Sequence, residues 1–287
     1  MAFVKDYLRF VKLEHTLFSL PVVFAGAALA ARLGWDLDWK KAGWIFLAVL
    51  GARSAGFGMN RALDHEIDAR NPRTRSREIP AGKISIGSAW AFIGGASALY
   101  LLAAGMLSPV CLALAPVPLA LFFFYPFLKR FTALSHLGLG LAWGTAPLGG
   151  WLAVTGRLGP LAEMVPALLL AGFCVFWVAG FDVIYALLDR DFDRANGLHS
   201  LPAAIGESAA LRVSQLLHFA GFLFLGTLVQ TTFNGPAAFS LFAAAGLLIL
   251  IGHARVQFGP LDPSAVDFAF FKVNAAVAFL VLILTAV

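Results

Sequence analysis

Charge is scarce in this chain: 13% of its 287 residues are Asp, Glu, Lys or Arg, against 60% hydrophobic. Soluble domains carry about 25% charged residues. Together with a mean hydropathy of +0.83, this scarcity excludes a water-soluble globule and implies an integral membrane protein. Cysteine is nearly absent as well. Cys111 and Cys174 both fall inside apolar runs, which leaves no disulfide framework and no thiolate metal site. The six histidines have none of the spacings of a zinc site. A glycine-rich phosphate cradle, a nucleophile elbow and a dinucleotide fingerprint are all missing. No stretch alternates with period two, which argues against a barrel. The net charge of +5 sits mostly in loops suited to anionic lipid and makes no case for nucleic acid.

Long apolar runs are what the chain has in abundance. Spans of about 20 residues cross a bilayer as helices, and such spans are expected near 16–34, 42–62, 86–106, 109–128, 133–154, 164–186, 211–230, 236–254 and 268–287. The expected fold class is therefore all-α, a single multi-pass bundle of nine helices over residues 1–287. Glycine and proline inside these runs suit helices packed closely in lipid. With the N-terminus in the cytoplasm, Lys5, Arg9, Lys12, the run from Arg70 to Lys83, Lys129, Arg130, Arg190, Arg194, Arg212, Arg255 and Lys272 lie inside. Only Arg32, Lys40, Lys41 and Arg157 then lie outside, as the positive-inside rule prefers. The basic start before an apolar run imitates a signal peptide. Glu14, His15 and Pro21 interrupt the imitation, so an uncleaved first helix is expected.

Two acidic clusters break the apolar pattern, in segments 57–85 and 182–207, and they repeat one plan. The first reads Asn60-x-x-x-Asp64-x-x-x-Asp68, then Asn71 and later Pro80. The second reads Tyr185-x-x-x-Asp189-x-x-x-Asp193, then Asn196 and later Pro202, with Asp182 deeper in the run. Four-residue spacing stacks such side chains along one helical face. An acid at mid-bilayer depth costs roughly 2.5–3.5 kcal/mol on insertion scales, so carboxylates there usually answer to a cation. One such pattern alone is common at helix ends; the matched asparagine and proline make the pair specific. Carboxylate oxygens suit magnesium, which takes one or two of them together with phosphate oxygens and waters. Arg73, Arg75 and Arg77 follow the first stripe, and guanidinium groups bind the same phosphates in pairs. A diphosphate held between metal and arginine is the ligand this pattern describes. Asp182 beside Tyr185 suits a proton acceptor or a group that orients one. A third element, Tyr125-Pro-Phe-Leu-Lys129-Arg130, ends the fourth run at the same depth. Alone it reads as an interfacial belt with snorkelling cations. The run Phe122 to Tyr125 also suits the wall of a channel for an apolar chain.

Taken together, Asn60-x-x-x-Asp64-x-x-x-Asp68, Arg77-Glu-Ile-Pro80-Ala-Gly82, Tyr125-x-x-x-Lys129 and Asp182-x-x-Tyr185-Ala-x-x-Asp189-x-x-x-Asp193 resemble the UbiA superfamily of intramembrane aromatic prenyltransferases. The resemblance covers essentially the whole chain. It implies nine helices around a central cavity, with a polar cap on the cytoplasmic side. It implies Mg2+ bound by Asn60, Asp64, Asp68, Asp189 and Asp193, and a polyprenyl diphosphate contacted by Arg73, Arg77 and Lys129. Arg130 is then a candidate for an acceptor's carboxylate, with Tyr125 at the substrate and Asp182, Tyr185 and Asp189 in the chemistry. The nearest branch is bacterial 4-hydroxybenzoate polyprenyltransferase, in a bacterial inner membrane. Lys12-Leu-Glu-His15-Thr and the 197–202 loop resemble its menaquinone-pathway relatives. Arg61 departs from the motif, which more often has an acidic or small polar residue there. A reading from a different class is an ion-coupled transporter, whose acids would sit near the membrane midplane.

Overall fold

A computed structural model describes residues 2–12, 16–259 and 262–287. Leu13, Glu14 and His15 of the opening motif lie outside the described residues. The chain forms helices α1 (Ala2–Phe10), α2 (Thr16–Arg32), α3 (Trp39–Leu63), α4 (His65–Arg70), α5 (Ile86–Leu107), α6 (Pro109–Leu114), α7 (Pro116–Leu128) and α8 (Ser135–Thr155). These are followed by α9 (Leu161–Ala186), α10 (Arg190–Ala195), α11 (Leu201–Ile205), α12 (Glu207–Thr232), α13 (Pro236–Phe258), α14 (Pro263–Asp267) and α15 (Asn274–Ala286). The described residues contain no strand. Caps set several boundaries: Asp38 accepts the Lys41 N–H at 2.7 Å, and Ser85 accepts the Ser88 N–H at 3.1 Å.

Among the described residues, eight helical stretches have the length and apolarity to cross a bilayer. The expected first span corresponds to α2, described from Thr16 to Arg32, and its Val22, Ala25, Ala27, Leu29 and Ala30 are buried inside the bundle. Glycine makes that packing possible. A Cβ on Gly26 would fall 1.9 Å from the Pro147 carbonyl oxygen, and one on Gly150 the same distance from that of Val23. The backbones of α2 and α8 therefore touch, as small residues allow in lipid. The largest core cluster lies around this contact, with Trp151, Trp177, Phe173, Leu170, Leu225 and Val277 among its members. Outward faces stay apolar: Phe124, Leu216, Phe219, Leu247 and Leu250 are all more than half exposed. In a chain this poor in charge, such a belt is a lipid-facing surface.

Two smaller apolar clusters sit at the polar end of the bundle. Phe10, Ala55, Met59, Ile79, Ile84 and Ile93 lie beneath the first acidic segment. Val183, Ile184, Leu187, Leu211 and Val256 lie beneath the second. Each acidic segment thus rests on its own patch of core.

Candidate active site

One backbone device builds both acidic segments. Helix α3 stops at Asp64 (φ −99°, ψ 7°), where the six-residue α4 begins. Helix α9 passes through a 3₁₀ turn, Leu187–Asp189, into the six-residue α10, with Asp189 at φ −107°, ψ 0°. The middle acid of each motif therefore sits in the sparsely allowed bridge region. Asn71 and Asn196 close the two short helices. The expectation of one unbroken helical face is corrected here, because the first and third positions of each motif lie on different helices. Beside the break, His65 Nδ1 meets the Ala62 carbonyl at 2.8 Å, so this ring nitrogen bonds the backbone of its own segment.

Folding brings the two segments together. Asn71 donates to Asp189 Oδ1 at 2.8 Å. Arg73 donates its Nε to the same oxygen at 2.8 Å, its Nη1 to the Tyr185 hydroxyl at 2.8 Å, and its Nη2 to Asp189 Oδ2. The guanidinium also lies over the Tyr185 ring, 5.0 Å from its centre. Burial works against the Arg73 charge, but bonding to Asp189 and Tyr185 outweighs it and holds the group above its ordinary pKa. Arg77 grips both oxygens of Asp68, at 2.9 and 2.8 Å. Lys129 reaches across from the end of α7 to Asp64 Oδ2 at 2.6 Å. Asp64 is 3% exposed and Asp68 5%. Burial pushes the Asp64 carboxyl above the usual range, opposed mainly by Lys129.

These residues line a polar chamber of roughly 250 Å³ whose wall also holds Asn60, Asp182, Asp193, His136 and Lys12. A second cavity of roughly 300 Å³ is almost wholly apolar, walled by residues such as Ile45, Val49, Leu107, Phe122 and Ala146. Phe57, Asn60, Tyr125, Leu139 and Trp143 line both, so the two spaces adjoin at those residues. Phe124 of the aromatic run faces away instead, 63% exposed. Arg130 is absent from both walls. Its Nη2 donates to the Leu63 carbonyl at 2.8 Å and lies 3.6 Å from Asp64 Oδ1. It braces the broken end of α3, and contact with an acceptor carboxylate would require it to leave that position.

Arg61, the departure from the motif, has a plain structural account. It pairs with Glu78 from the Arg77-Glu78-Ile79-Pro80 loop, and both residues are buried. The pair ties α3 to the loop that carries Arg73 and Arg77.

The donor set suits magnesium in kind: carboxylate and amide oxygens, with no sulfur. Asp64 Oδ1 is buried without a hydrogen-bond partner, and an unmet acceptor of that sort is what a cation completes. Among the described residues no three His, Cys, Asp or Glu side chains converge as a cage. Magnesium tolerates this, since phosphate and water usually supply most of its ligands.

Three participants escaped the sequence reading. Asn71 was visible as the asparagine after the first motif, but not as the residue that crosses to the second. Lys12 looked like one more basic anchor, yet it lines the chamber with its backbone in the left-handed region (φ 45°). His136 gave no signal at all. It stands 46 residues before Asp182 in sequence, and its Nδ1 lies 2.7 Å from Asp182 Oδ2.

Known proteins resemble this chain in sequence and in fold. Residues 19–281 match the model of the UbiA prenyltransferase family. The 4-hydroxybenzoate octaprenyltransferase of Vibrio parahaemolyticus is 31% identical over 239 residues, 79% of each chain. The apo structure of a UbiA homologue from Aeropyrum pernix superposes with a TM-score of 0.84 at 35% identity, covering 93% of this chain and 95% of that one. A UbiA homologue from Archaeoglobus fulgidus, solved bound to GPP and Mg2+, shares the fold with a TM-score of 0.74 at 19% identity, covering 98% of this chain and 100% of that one. With the family model spanning nearly the whole chain and a solved relative sharing its fold, this multi-pass membrane protein belongs to the UbiA prenyltransferase family.

Proposed function

We propose that the chain transfers a polyprenyl group from a polyprenyl diphosphate to 4-hydroxybenzoate, with Mg2+, in quinone biosynthesis. The observation that carries this reading is the polar chamber adjoining an apolar one, with acids and cations of both motifs facing each other across it. The diphosphate belongs among Lys129, Arg73 and Arg77, and the prenyl chain follows the apolar space past Phe57 and Tyr125. Asn60, Asp64, Asp68, Asp189 and Asp193 would hold the metal. Bound there, magnesium would neutralise the departing diphosphate.

The residues of the chain supply the rest. Each cation now pairs with an acid, so arriving metal and diphosphate exchange partners with groups already neutralised in place. The allylic C–O bond breaks with its electron pair leaving on the diphosphate, where Lys129, Arg73 and Arg77 stabilise it. The apolar wall keeps water from the allylic cation. The ring carbon beside the acceptor's hydroxyl forms the new C–C bond. Its proton then passes to Asp182, and aromaticity returns. Tyr185, held by Arg73, keeps the acceptor's side of the chamber in shape. The basic loops beside these groups support an orientation with the site on the cytoplasmic side of a bacterial inner membrane.

The names of relatives support the acceptor: several are 4-hydroxybenzoate prenyltransferases at about this identity. The acids lie at helix ends beside basic loops, an arrangement that favours a transferase over an ion-coupled carrier. The test is direct. Protein in lipid nanodiscs is given magnesium, a polyprenyl diphosphate and a panel of aromatic acids that includes the menaquinone-pathway acceptor, and products are weighed by mass spectrometry. Prenylated 4-hydroxybenzoate is expected. Exclusive prenylation of the menaquinone-pathway acid would move the assignment to that branch, and no product with any acceptor would overturn it.

A further inference from the structure

Asp182 is held in a specific way. His136 opens the first turn of α8 and is 3% exposed. Its Nδ1 lies 2.7 Å from Asp182 Oδ2. Its Nε2 accepts the Leu201 N–H at 3.3 Å. Leu201 is the first residue of α11, so this N–H is one of the donors that a helix start leaves without an intrahelical partner. An imidazole nitrogen that accepts a bond carries no proton, so the ring proton sits on Nδ1 and points at Asp182. Among the described residues, Asp182 Oδ1 has no hydrogen bond from the protein, and the side chain lines the polar chamber.

We infer that His136 is the positioning residue for Asp182, fixed in its Nδ1–H tautomer by the Leu201 amide so that Asp182 presents Oδ1 to the acceptor ring. The inference rests on the proposed transfer reaction and adds a residue to it. The proton leaving the ring goes to Asp182 Oδ1, while Oδ2 stays bonded to His136. No further oxidant or partner is needed.

The arrangement also couples two parts of the site. The loop after α10 turns at Gly197 (φ 66°), where the Leu198 N–H bonds the Asp193 carbonyl at 2.9 Å in a helix-stop motif that favours glycine. It is then stitched down twice: the His199 N–H bonds the Lys129 carbonyl at 2.7 Å, and the Leu201 N–H bonds His136. The loop that closes the second metal motif therefore sets the tautomer of the ring that orients Asp182.

Two substitutions separate the bonds. In His136→Asn the amide nitrogen stands near the Nδ1 position and keeps the donor to Asp182, while the acceptor for Leu201 is lost. In His136→Gln the amide group stands near the Nε2 position and keeps the Leu201 bond, while the donor to Asp182 is lost. The full chain in nanodiscs is assayed with magnesium, geranyl diphosphate and 4-hydroxybenzoate, unlabelled or deuterated beside the hydroxyl. His136→Gln is expected to lower kcat about 100-fold, the low end of what acid–base groups contribute. It should leave the KM for geranyl diphosphate unchanged and bring out a primary deuterium isotope effect. His136→Asn should restore kcat to within a few-fold of wild type. A purely structural histidine predicts the reverse order, with Gln the better replacement and no isotope effect in either variant, and that result overturns the inference. Nitrogen chemical shifts of labelled His136 give a readout independent of turnover: a proton on Nδ1 is expected, and a proton on Nε2 overturns it. If wild-type protein prenylates no aromatic acid, the proposed reaction falls first. If it does and His136→Gln matches it, only this inference falls.

Discussion

The two acidic segments share a sequence plan and a backbone break, yet they are wired differently. In the first, Asp64 and Asp68 are buried and each is gripped by a cation from another helix or loop. In the second, Asp189 takes its bonds from the first segment, through Asn71 and Arg73. The asparagines show the divergence most clearly. Asn71 reaches across the chamber, whereas Asn196 turns back to the Phe192 carbonyl of its own helix at 2.9 Å. The following prolines differ too: Pro80 lies in a run of turns, and Pro202 sits in the first turn of α11. One segment is the reaching half of the site and the other the receiving half. A repeated motif therefore predicts where the chain kinks, and not which side chain crosses the gap.

The largest expected effect tests what the halves share. If the middle acids are equivalent metal ligands, Asp64→Ala and Asp189→Ala should each lower turnover by roughly 10³-fold or more, with protein still inserted and monodisperse. Strong loss in one and retention in the other would break the equivalence. Next comes the buried pair that only the first half owns. Arg61→Met leaves Glu78 buried without its cation, which costs about 3 kcal/mol or more. Thermal unfolding in detergent should show this as a large drop in Tm. The double replacement Arg61→Met with Glu78→Leu should recover most of it, because apolar groups of similar size carry no charge to desolvate.

Asymmetry of this kind explains what the sequence could and could not disclose. Spans, their order and the clustering of Asn60, Asp64, Asp68, Asp189 and Asp193 are local properties: runs of apolar residues and four-residue spacings read directly along the chain. The kinks at Asp64 and Asp189 were hidden because four-residue spacing looks the same in one helix as in two joined by a single residue or a 3₁₀ turn. The close approach of α2 to α8 rests on contacts their sequences only hint at, through Gly26 against Pro147 and Gly150 against Val23. Arg61 with Glu78, Asn71 with Asp189 and His136 with Asp182 are tertiary pairings 17 to 118 residues apart. Nothing in either member of such a pair names the other.

A smaller effect is expected at the crossing bond itself. Asn71→Ala removes a donor from Asp189 and leaves Arg73 without the Asn71 oxygen that accepts its backbone N–H at 2.9 Å. A hydrogen bond to a charged group contributes about 1.5–3 kcal/mol, so kcat/KM should fall at least about tenfold and the magnesium requirement should rise. Asn196→Ala removes only a local bond and should leave both within about twofold, since a neutral bond contributes about 0.5–1.5 kcal/mol to the fold and this one lies within its own helix. Equal losses at the two asparagines would mean that the halves act as true copies.

The smallest effect is expected outside the chamber, where the second half carries an ion pair that resembles those inside it on paper. Arg190 bonds Asp191 and Glu207, at 2.9 Å each. It adjoins Asp189 in sequence, so motif reading alone would give it as much weight as Arg73. Its partners are far more open to solvent than those of Arg73, with the Asp191 side chain 83% exposed. Exposed pairs contribute 0–1 kcal/mol or so, and Arg190 lines neither cavity. Arg190→Ala should therefore leave turnover and magnesium dependence at wild-type values and shift Tm slightly, with salt removing even that shift. Arg73→Ala, which removes the cation bonded to Asp189 across the chamber, should lose diphosphate affinity and turnover together. A loss from Arg190→Ala as large as that from Arg73→Ala would show that the diphosphate lies over α10 instead of between the two segments.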